Sequence, residues 1–339
     1  MLIGSHIDTV INGGMFDGAA GVLMGIEVLQ TMHEQNIALD HAVEVVIFTD
    51  EEGARFSSGM LGSQAFIGKL TEPDLENSFD TYGISIADAM RQQGYKPEHV
   101  ASAEVKPKEI KCYLELHIEQ GKVLESQNIP VGLVTGMVGL RWLKIKLTGE
   151  AGHAGTTPMN FRKDPMACAA EIIQVIETLA RNEQQTVATI GKLSVQPGGI
   201  NVIPSEVEFT VDMRDLSDAL LDELVEEIGK KARDISEQRG IIFDLQILDR
   251  SNGVTTIPSV NEAIAAAIRK NDIELVKLPS GAGHDAMNVA QITDIGMIFL
   301  RTKDGISHNP AEWADQADLA MGAEVLLDTF IELGKRCGI

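Results

Sequence analysis

Five residues far apart in the chain are of the types that hold divalent cations: His6 in GSHIDTV, Asp17 in FDG, Glu52 in DEEG, His117 in ELHIEQG and His308 in ISHNP. A mixed set of imidazoles and carboxylates suits Zn, Mn, Co or Ni. One aspartate shared by two ions, with two further ligands on each, would hold them about 3.5–4 Å apart and make a two-metal hydrolytic site. Each residue alone also has a plainer reading. A lone histidine at a strand end is often a hydrogen-bonded structural group, and His33, His41 and His99, in polar surroundings without acidic partners at useful spacing, fit that role best. Adjacent acids such as Glu51 and Glu52 are commonly a solvated turn or a charge cluster at a helix N-terminus.

Position favours the sharper reading. LIGSH reads as the end of a buried strand; the glycine-rich loop NGGMFDG follows, then a helix with apolar Val22, Leu23, Ile26, Leu29 and Met32. Ala42 to Phe48 is a short β-branched apolar run, predicted to be a buried parallel strand ending in the acidic turn Asp50, Glu51, Glu52, Gly53. Polar groups thus collect at strand ends, where open α/β sheets build their sites. From about residue 140 the pattern changes. LKIKLTG alternates in period two, Asp164 and Pro165 open a helix, TVATIGKL and EVEFTVDMR read as strands, and a charged helix from about Ser217 leads to IIFDLQIL. The order β-α-β-β-α-β is the ferredoxin-like signature, predicting a module at 139–254 inserted between residues 1–138 and 255–339 of one domain. A helix near Asn261 to Lys270, the loop SGAGHDA, an apolar strand at Ile295 to Leu300 and a final amphipathic helix resume the first pattern. The predicted class is α/β, with a mostly parallel sheet plus the inserted ferredoxin-like domain.

Composition narrows the partners. With 339 residues and 44% hydrophobic content the chain can bury a substantial core, and its length suggests two domains. A net charge of −22 argues against nucleic acid and anionic membrane surfaces. No apolar run approaches the roughly 20 residues of a membrane span, and MLIGSHIDTV lacks the layout of a secretory signal, so a cytoplasmic location is expected. Cys112, Cys168 and Cys337 are widely separated and are read as packing residues rather than a disulfide or metal framework. The acidic field would also repel an anionic substrate, so any carboxylate ligand requires a local cationic anchor.

The motifs GSHIDTV, NGGMFDG, TDEEGARF, ELHIEQG, GHAGTTPM, GGINVIP, SGAGHDA and ISHNP occur together and in this order. In them the chain resembles the zinc-dependent amidase, hydantoinase and carbamoylase family, which includes N-carbamoyl-L-amino acid hydrolases and allantoate amidohydrolases, within the larger superfamily of dinuclear metal aminoacylases and carboxypeptidases. The resemblance covers essentially the whole chain. It implies two divalent metal ions per subunit, Zn or alternatively Mn, Co or Ni, with Asp17 bridging, His6 and His117 on one metal, and Glu52 and His308 on the other. Asp8 would orient His6 through a carboxylate contact. Glu51 matches the general base, which would take a proton from the water between the metals and deliver it to the departing nitrogen. A histidine at position 117 favours the ureido-hydrolysing branch, and Gln120 would hydrogen-bond the ureido group or satisfy backbone groups.

Arg214, in VDMRD, is the candidate anchor, because a guanidinium matches a carboxylate bidentately, with Asn201 assisting; an ion pair with Asp212 or Asp215 is the competing reading. His153 resembles the histidine that stabilises a tetrahedral oxyanion, acting within a subunit or across a homodimer formed by the inserted lid and dimerisation domain; its plain alternative is a loop cap. Gly281, Ala282, Gly283 and His284 resemble a substrate-contacting loop, with a simple tight turn as the alternative. Ligands drawn from both domains would imply closure of one on the other.

The implied substrate is a small ureido carboxylate. The family pattern also implies several tens of residues before the GSH strand, where only Met1 to Gly4 precede Ser5 here; such a portion would contribute helices, with or without a strand, to the catalytic sheet, which puts stability and activity in question. Two alternatives stay open: an aminoacylase or dipeptidase of the same fold, and an inactive metal-binding remnant.

Overall fold

The computed structural model describes residues 1–56 and 59–335, so Cys337 lies outside the described residues. Internal contacts divide the chain into two compact units, Met1–Met137 with Thr255–Ile339, and Val138–Val254.

The first unit is built on a mostly parallel sheet. Strand Leu2–His6 is buried throughout and pairs parallel with Glu44–Phe48 on one side and Cys112–Ile118 on the other. Cys112–Ile118 pairs parallel with Asp294–Leu300, which runs antiparallel to Val131–Met137; Lys277–Ser280 lies parallel on that last strand. Strands covered on both faces read as continuous apolar runs, and Cys112–Ile118 shows how one of them also carries chemistry. Cys112, Leu114, Leu116 and Ile118 enter the apolar core with Ile264, Ile298, Leu326 and Phe330. The alternate positions Glu115 and His117 share the opposite face, because side chains repeat every two residues, and both are buried.

Two elements of this unit depart from the sequence expectation. The helix Ala19–Glu34 buries Ala20, Val22, Gly25, Val28 and Met32, while Leu23 and Ile26 remain 57% and 46% exposed. Gly25 sets this orientation, since a Cβ there would come within 2.7 Å of the Ile3 side chain. The run Ala42 to Phe48 yields the shorter strand Glu44–Phe48, which ends the hydrogen-bonded order of the sheet and buries only Phe48.

The second unit is an antiparallel sheet ordered Ile242–Ser251, Gly139–Thr148, Glu206–Asp215, flanked by the short strands Val187–Thr189 and Leu193–Gln196. With the helices Pro165–Asn182 and Asp218–Arg239 this is the ferredoxin-like arrangement predicted above. Val207, Phe209, Val211 and Met213 alternate into a core shared with Ile145, Ile172 and Leu221. Asp164 caps the first helix by accepting from the amides of Met166 and Ala167, and Ser217 caps the second through Leu220. TVATIGKL is broken rather than continuous. Thr189 faces Asp212 and Leu193 faces Phe209, so one extra residue bulges out around Gly191. Among the described residues, no helix is long and apolar enough to cross a membrane.

Candidate functional site

The site collects at the carboxyl ends of the parallel strands of the first unit. Strand Leu2–His6 ends on His6, and Cys112–Ile118 delivers His117 one residue before its end. The loop from NGGMFDG brings Asp17, the turn after Glu44–Phe48 brings Glu51 and Glu52, and ISHNP brings His308. Glycines permit this convergence. Gly18, at φ 64°, lies flat on the imidazole of His6, where a Cβ would fall 2.4 Å from the ring. The acidic turn is held by the returning chain, the amides of Met60 and Gly62 donating to the carbonyls of Glu51 and Thr49 at 2.8 and 2.9 Å. Gly59 and Gly62 allow that approach, a Cβ on either falling 2.6 Å from backbone atoms.

Asp17 stands at the centre, 4% exposed. Its Oδ1 is 3.0 Å from His117 Nε2 and 3.6 Å from His6 Nε2. Its Oδ2 is 3.3 Å from His308 Nε2, which is itself 3.3 Å from Glu52 Oε1. The ligand atoms of His6, Asp17 and His117 all lie within 4.8 Å of one another, as do those of Asp17, Glu52 and His308. Glu51 Oε2 is 3.8 Å from His6 Nε2.

Ring orientation follows from what holds the other nitrogen. His6 Nδ1 lies 3.0 Å from the carbonyl oxygen of Asp8, and His117 Nδ1 lies 2.9 Å from that of Ile118. A carbonyl only accepts, so both Nδ1 atoms carry a hydrogen and both Nε2 atoms face Asp17. Asp8 meets His6 in two ways. Its backbone orients His6, while its carboxylate Oδ1 is 3.9 Å from Nδ1 and Oδ2 accepts the amide of Glu52 at 3.1 Å.

The electrostatics are those of crowded, buried acids. Burial, then the charge of Asp285, pushes Glu51 up to about 9. Burial, then Glu115, pushes Asp285 up to about 8, and burial raises Glu115 itself. Burial opposes charge on His117, yet the hydrogen bond and charge of Asp17 hold its proton to about 9; Asp17 is correspondingly held well below the usual carboxylate range. Among the described residues no lysine or arginine forms an ion pair with Asp17, Glu51 or Glu52. Buried Glu52 Oε1 has no hydrogen-bond donor. Converging imidazole Nε2 atoms, an orphaned carboxylate oxygen and acids without a lysine or arginine partner fit divalent cations, whose charge inverts these shifts.

Gln120, in the left-handed region at φ 56°, donates from Nε2 to Asp17 Oδ2 at 2.8 Å rather than to backbone. Ser280 Oγ bridges the amide and carbonyl of Ala282 and meets His284 Nε2 at 2.7 Å, so the segment 280–284 forms a side-chain-pinned turn. His284 is buried and stands edge-on to His117, ring centroids 4.5 Å apart. A Cβ at Gly281 would meet nothing within 4 Å, whereas one at Gly283 would fall 2.7 Å from Met60 Cε.

His153, Asn201 and Arg214 belong to the second unit. His153 Nδ1 accepts the amides of Gly155 and Thr156, at 3.0 and 3.3 Å, which leaves Nε2 as the donor of the neutral ring. The loop cap and a hydrogen-bond donor are therefore the same imidazole. Asn201 lies beside it, its carbonyl accepting the amide of Ala154. Arg214 forms the fork predicted by the competing reading, Nε to Asp212 Oδ1 at 3.0 Å and Nη2 to Asp212 Oδ2 at 2.9 Å. Asp215 instead accepts from Thr186 and Ser217. Cys112 and Cys168 are buried, Cys112 in the first unit's core and Cys168 in the second's.

Three residues around the ligands were not singled out from the sequence: Glu115, Ser307 and Glu312. Buried Glu115 accepts from Ser5 Oγ at 2.9 Å and the amide of Ala286 at 3.1 Å. Period-two alternation from His117 could have located Glu115, and adjacency to His308 could have located Ser307.

Peptidase family M20/M25/M40 matches residues 2–332, and the chain belongs to that family. It is 49% identical over 335 residues to an N-carbamoyl-L-amino acid amidohydrolase of Geobacillus stearothermophilus, covering 99% of this chain and 82% of that protein. It is 35% identical to an allantoate deiminase of Arabidopsis thaliana, covering 98% of this chain and 69% of that protein. Among solved structures, an amidase of the hydantoinase/carbamoylase family from Burkholderia multivorans superposes with a TM-score of 0.90 at 35% identity, over 97% of this chain and 79% of the other.

Proposed function

We propose that this protein hydrolyses N-carbamoyl-L-amino acids, with two divalent cations held by His6, His117 and Asp17 on one side and by Asp17, Glu52 and His308 on the other. The observation that carries this is the division of Asp17, whose two carboxylate oxygens each face a separate set of ligand atoms. The 49% identical relative is an N-carbamoyl-L-amino acid amidohydrolase, which supports the substrate class, and the 35% identical allantoate deiminase keeps allantoate as the second candidate.

When bound, the cations supply Lewis-acid polarisation of the ureido carbonyl and acidify a water. The chain's own residues do the rest. The carbonyls of Asp8 and Ile118 fix the two imidazoles, and Gln120 and Ser307 fix the orientation of the Asp17 carboxylate. Glu51, at the buried edge of this cluster, accepts the proton of the attacking water and returns it to the amino acid nitrogen as its bond to the ureido carbon breaks. The carbamate released then decays to ammonia and carbon dioxide. The resemblance of their motifs assigns the oxyanion donor to His153, through Nε2, the carboxylate anchor to Arg214 with Asn201, and substrate contact to the 281–284 turn.

The test is product identification from metal-loaded protein given N-carbamoyl-L-amino acids, allantoate and N-acetyl-amino acids in parallel. Free amino acid with ammonia is expected. Acetate release, or ammonia from allantoate alone, would overturn the assignment.

A further inference from the structure

Glu312 is 2% exposed, and its partners lie at the other end of the chain. Its Oε1 accepts the backbone amides of Phe16 at 2.8 Å and Asp17 at 3.0 Å. Its Oε2 lies 3.1 Å from Ser307 Oγ, which is 2.9 Å from Asp17 Oδ2. The loop makes room for this contact at Gly14, where a Cβ would fall 2.2 Å from Glu312 Oε1. One carboxylate therefore fixes the backbone of Asp17 directly and its Oδ2 through a serine next to His308.

We propose that Glu312 is a positioning residue for the outer of the two cation positions, the one formed by Asp17 Oδ2, Glu52 and His308; this deepens the proposed function and rests on it. The asymmetry comes from how each ligand set is otherwise held. His6 and His117 are at most 1% exposed on sheet strands, with Nδ1 tied to backbone carbonyls. The side chain of His308 is 50% exposed, in a loop where its own φ is 55°. Among the described residues, the hydrogen bonds that tie that loop to Asp17 Oδ2, beside the ion pair of His308 itself, come from Ser307, which Glu312 holds, and from Gln120, which donates to both Asp17 Oδ2 and Ser307. Losing Glu312 takes away one of the two anchors of Ser307 and the acceptor of the Phe16 and Asp17 amides, while Asp17 Oδ1 stays held against His6 and His117.

Calorimetric titration of chelated protein with zinc tests this without reference to turnover. The unsubstituted protein is expected to take two equivalents. In Glu312→Ala the tighter equivalent should be unchanged, and the weaker should lose about 10–100-fold in affinity, the usual effect of removing a residue that orients a ligand. Glu312→Gln should stay within a few-fold of the unsubstituted protein. Its amide oxygen still accepts the two backbone N–H groups, and its –NH2 donates to Ser307, which then gives its hydrogen wholly to Asp17. Equal affinity in Glu312→Ala, or loss of both equivalents alike with a native circular dichroism spectrum, would overturn the assignment. Should Glu312→Ala not fold, Ser307→Ala cuts the link to Oδ2 alone and must weaken the second equivalent selectively. Failure of the unsubstituted protein to bind two equivalents would instead overturn the metal assignment underneath.

Discussion

His117 Nε2 lies 3.0 Å from Asp17 Oδ1 with both side chains shut off from solvent. Without a cation between them this is a buried pair sharing a proton, and with one it is a ligand pair. The same two atoms thus report whether the site is loaded.

The pair predicts a pH dependence. His117, at about 9 against an ordinary 6.5, stabilises the metal-free fold fully below pH 6.5 and loses that contribution as pH rises through 9. Glu51 and Asp285, raised to about 9 and about 8, act in the same direction, since the folded chain binds more protons than the unfolded one across that range. Chelated protein should therefore melt at a lower temperature at pH 9 than at pH 6.5, and zinc should flatten the dependence by replacing the protons. A melting temperature that rises with pH in the chelated form would refute this.

Glu51→Gln should bind both cations yet turn over about 10²–10⁴-fold more slowly, the range expected for removing a general base. Elemental analysis and initial rates on one preparation separate the two effects. Near-native turnover would remove Glu51 from its role.

Gly18→Ala places a methyl group 2.4 Å from the His6 ring at a φ of 64°. The strain alone is worth about 1–3 kcal/mol, and displacement of His6 should weaken the tighter metal equivalent. Gly281→Ala, whose Cβ meets no atom within 4 Å, is the control and should be near neutral. Equal melting temperatures for the two variants would contradict the packing described for Gly18.

If Arg214 is the carboxylate anchor proposed above, Arg214→Lys should raise KM by about tenfold or more with little change in kcat, because a point charge cannot reproduce the planar fork. Unchanged KM would leave Arg214 a structural residue paired with Asp212 rather than a substrate anchor.

Much of this was legible because it depends on local pattern. The runs LIGSH and CYLELHI announce strands by burial, the alternation of Val207, Phe209, Val211 and Met213 announces its own face, and Asp164 with Pro165 marks a helix start. Legibility fails where one residue type serves two faces or where backbone does the work. Leu23 and Ile26 sit in an apolar stripe whose spacing fits two adjacent faces, and Gly25 decides between them by close approach to Ile3. Asp8 was expected to act through its carboxylate, which lies 3.9 Å from His6 Nδ1; its carbonyl, at 3.0 Å, is a contact that a sequence does not display. Glu312 was invisible for a different reason. Nothing near NPAEW signals that its partners are the amides of Phe16 and Asp17.

The ligand groups come from segments spread between His6 and His308, so no fragment of the first unit can assemble the cluster alone. Ion binding at this cluster would then be coupled to assembly of the parallel sheet, a cation acting as a rivet between strands that also share one packed core. Occupancy raises the free energy of unfolding by RT ln(1 + [L]/Kd), so the unit's durability in a given environment tracks how much free divalent ion that environment offers.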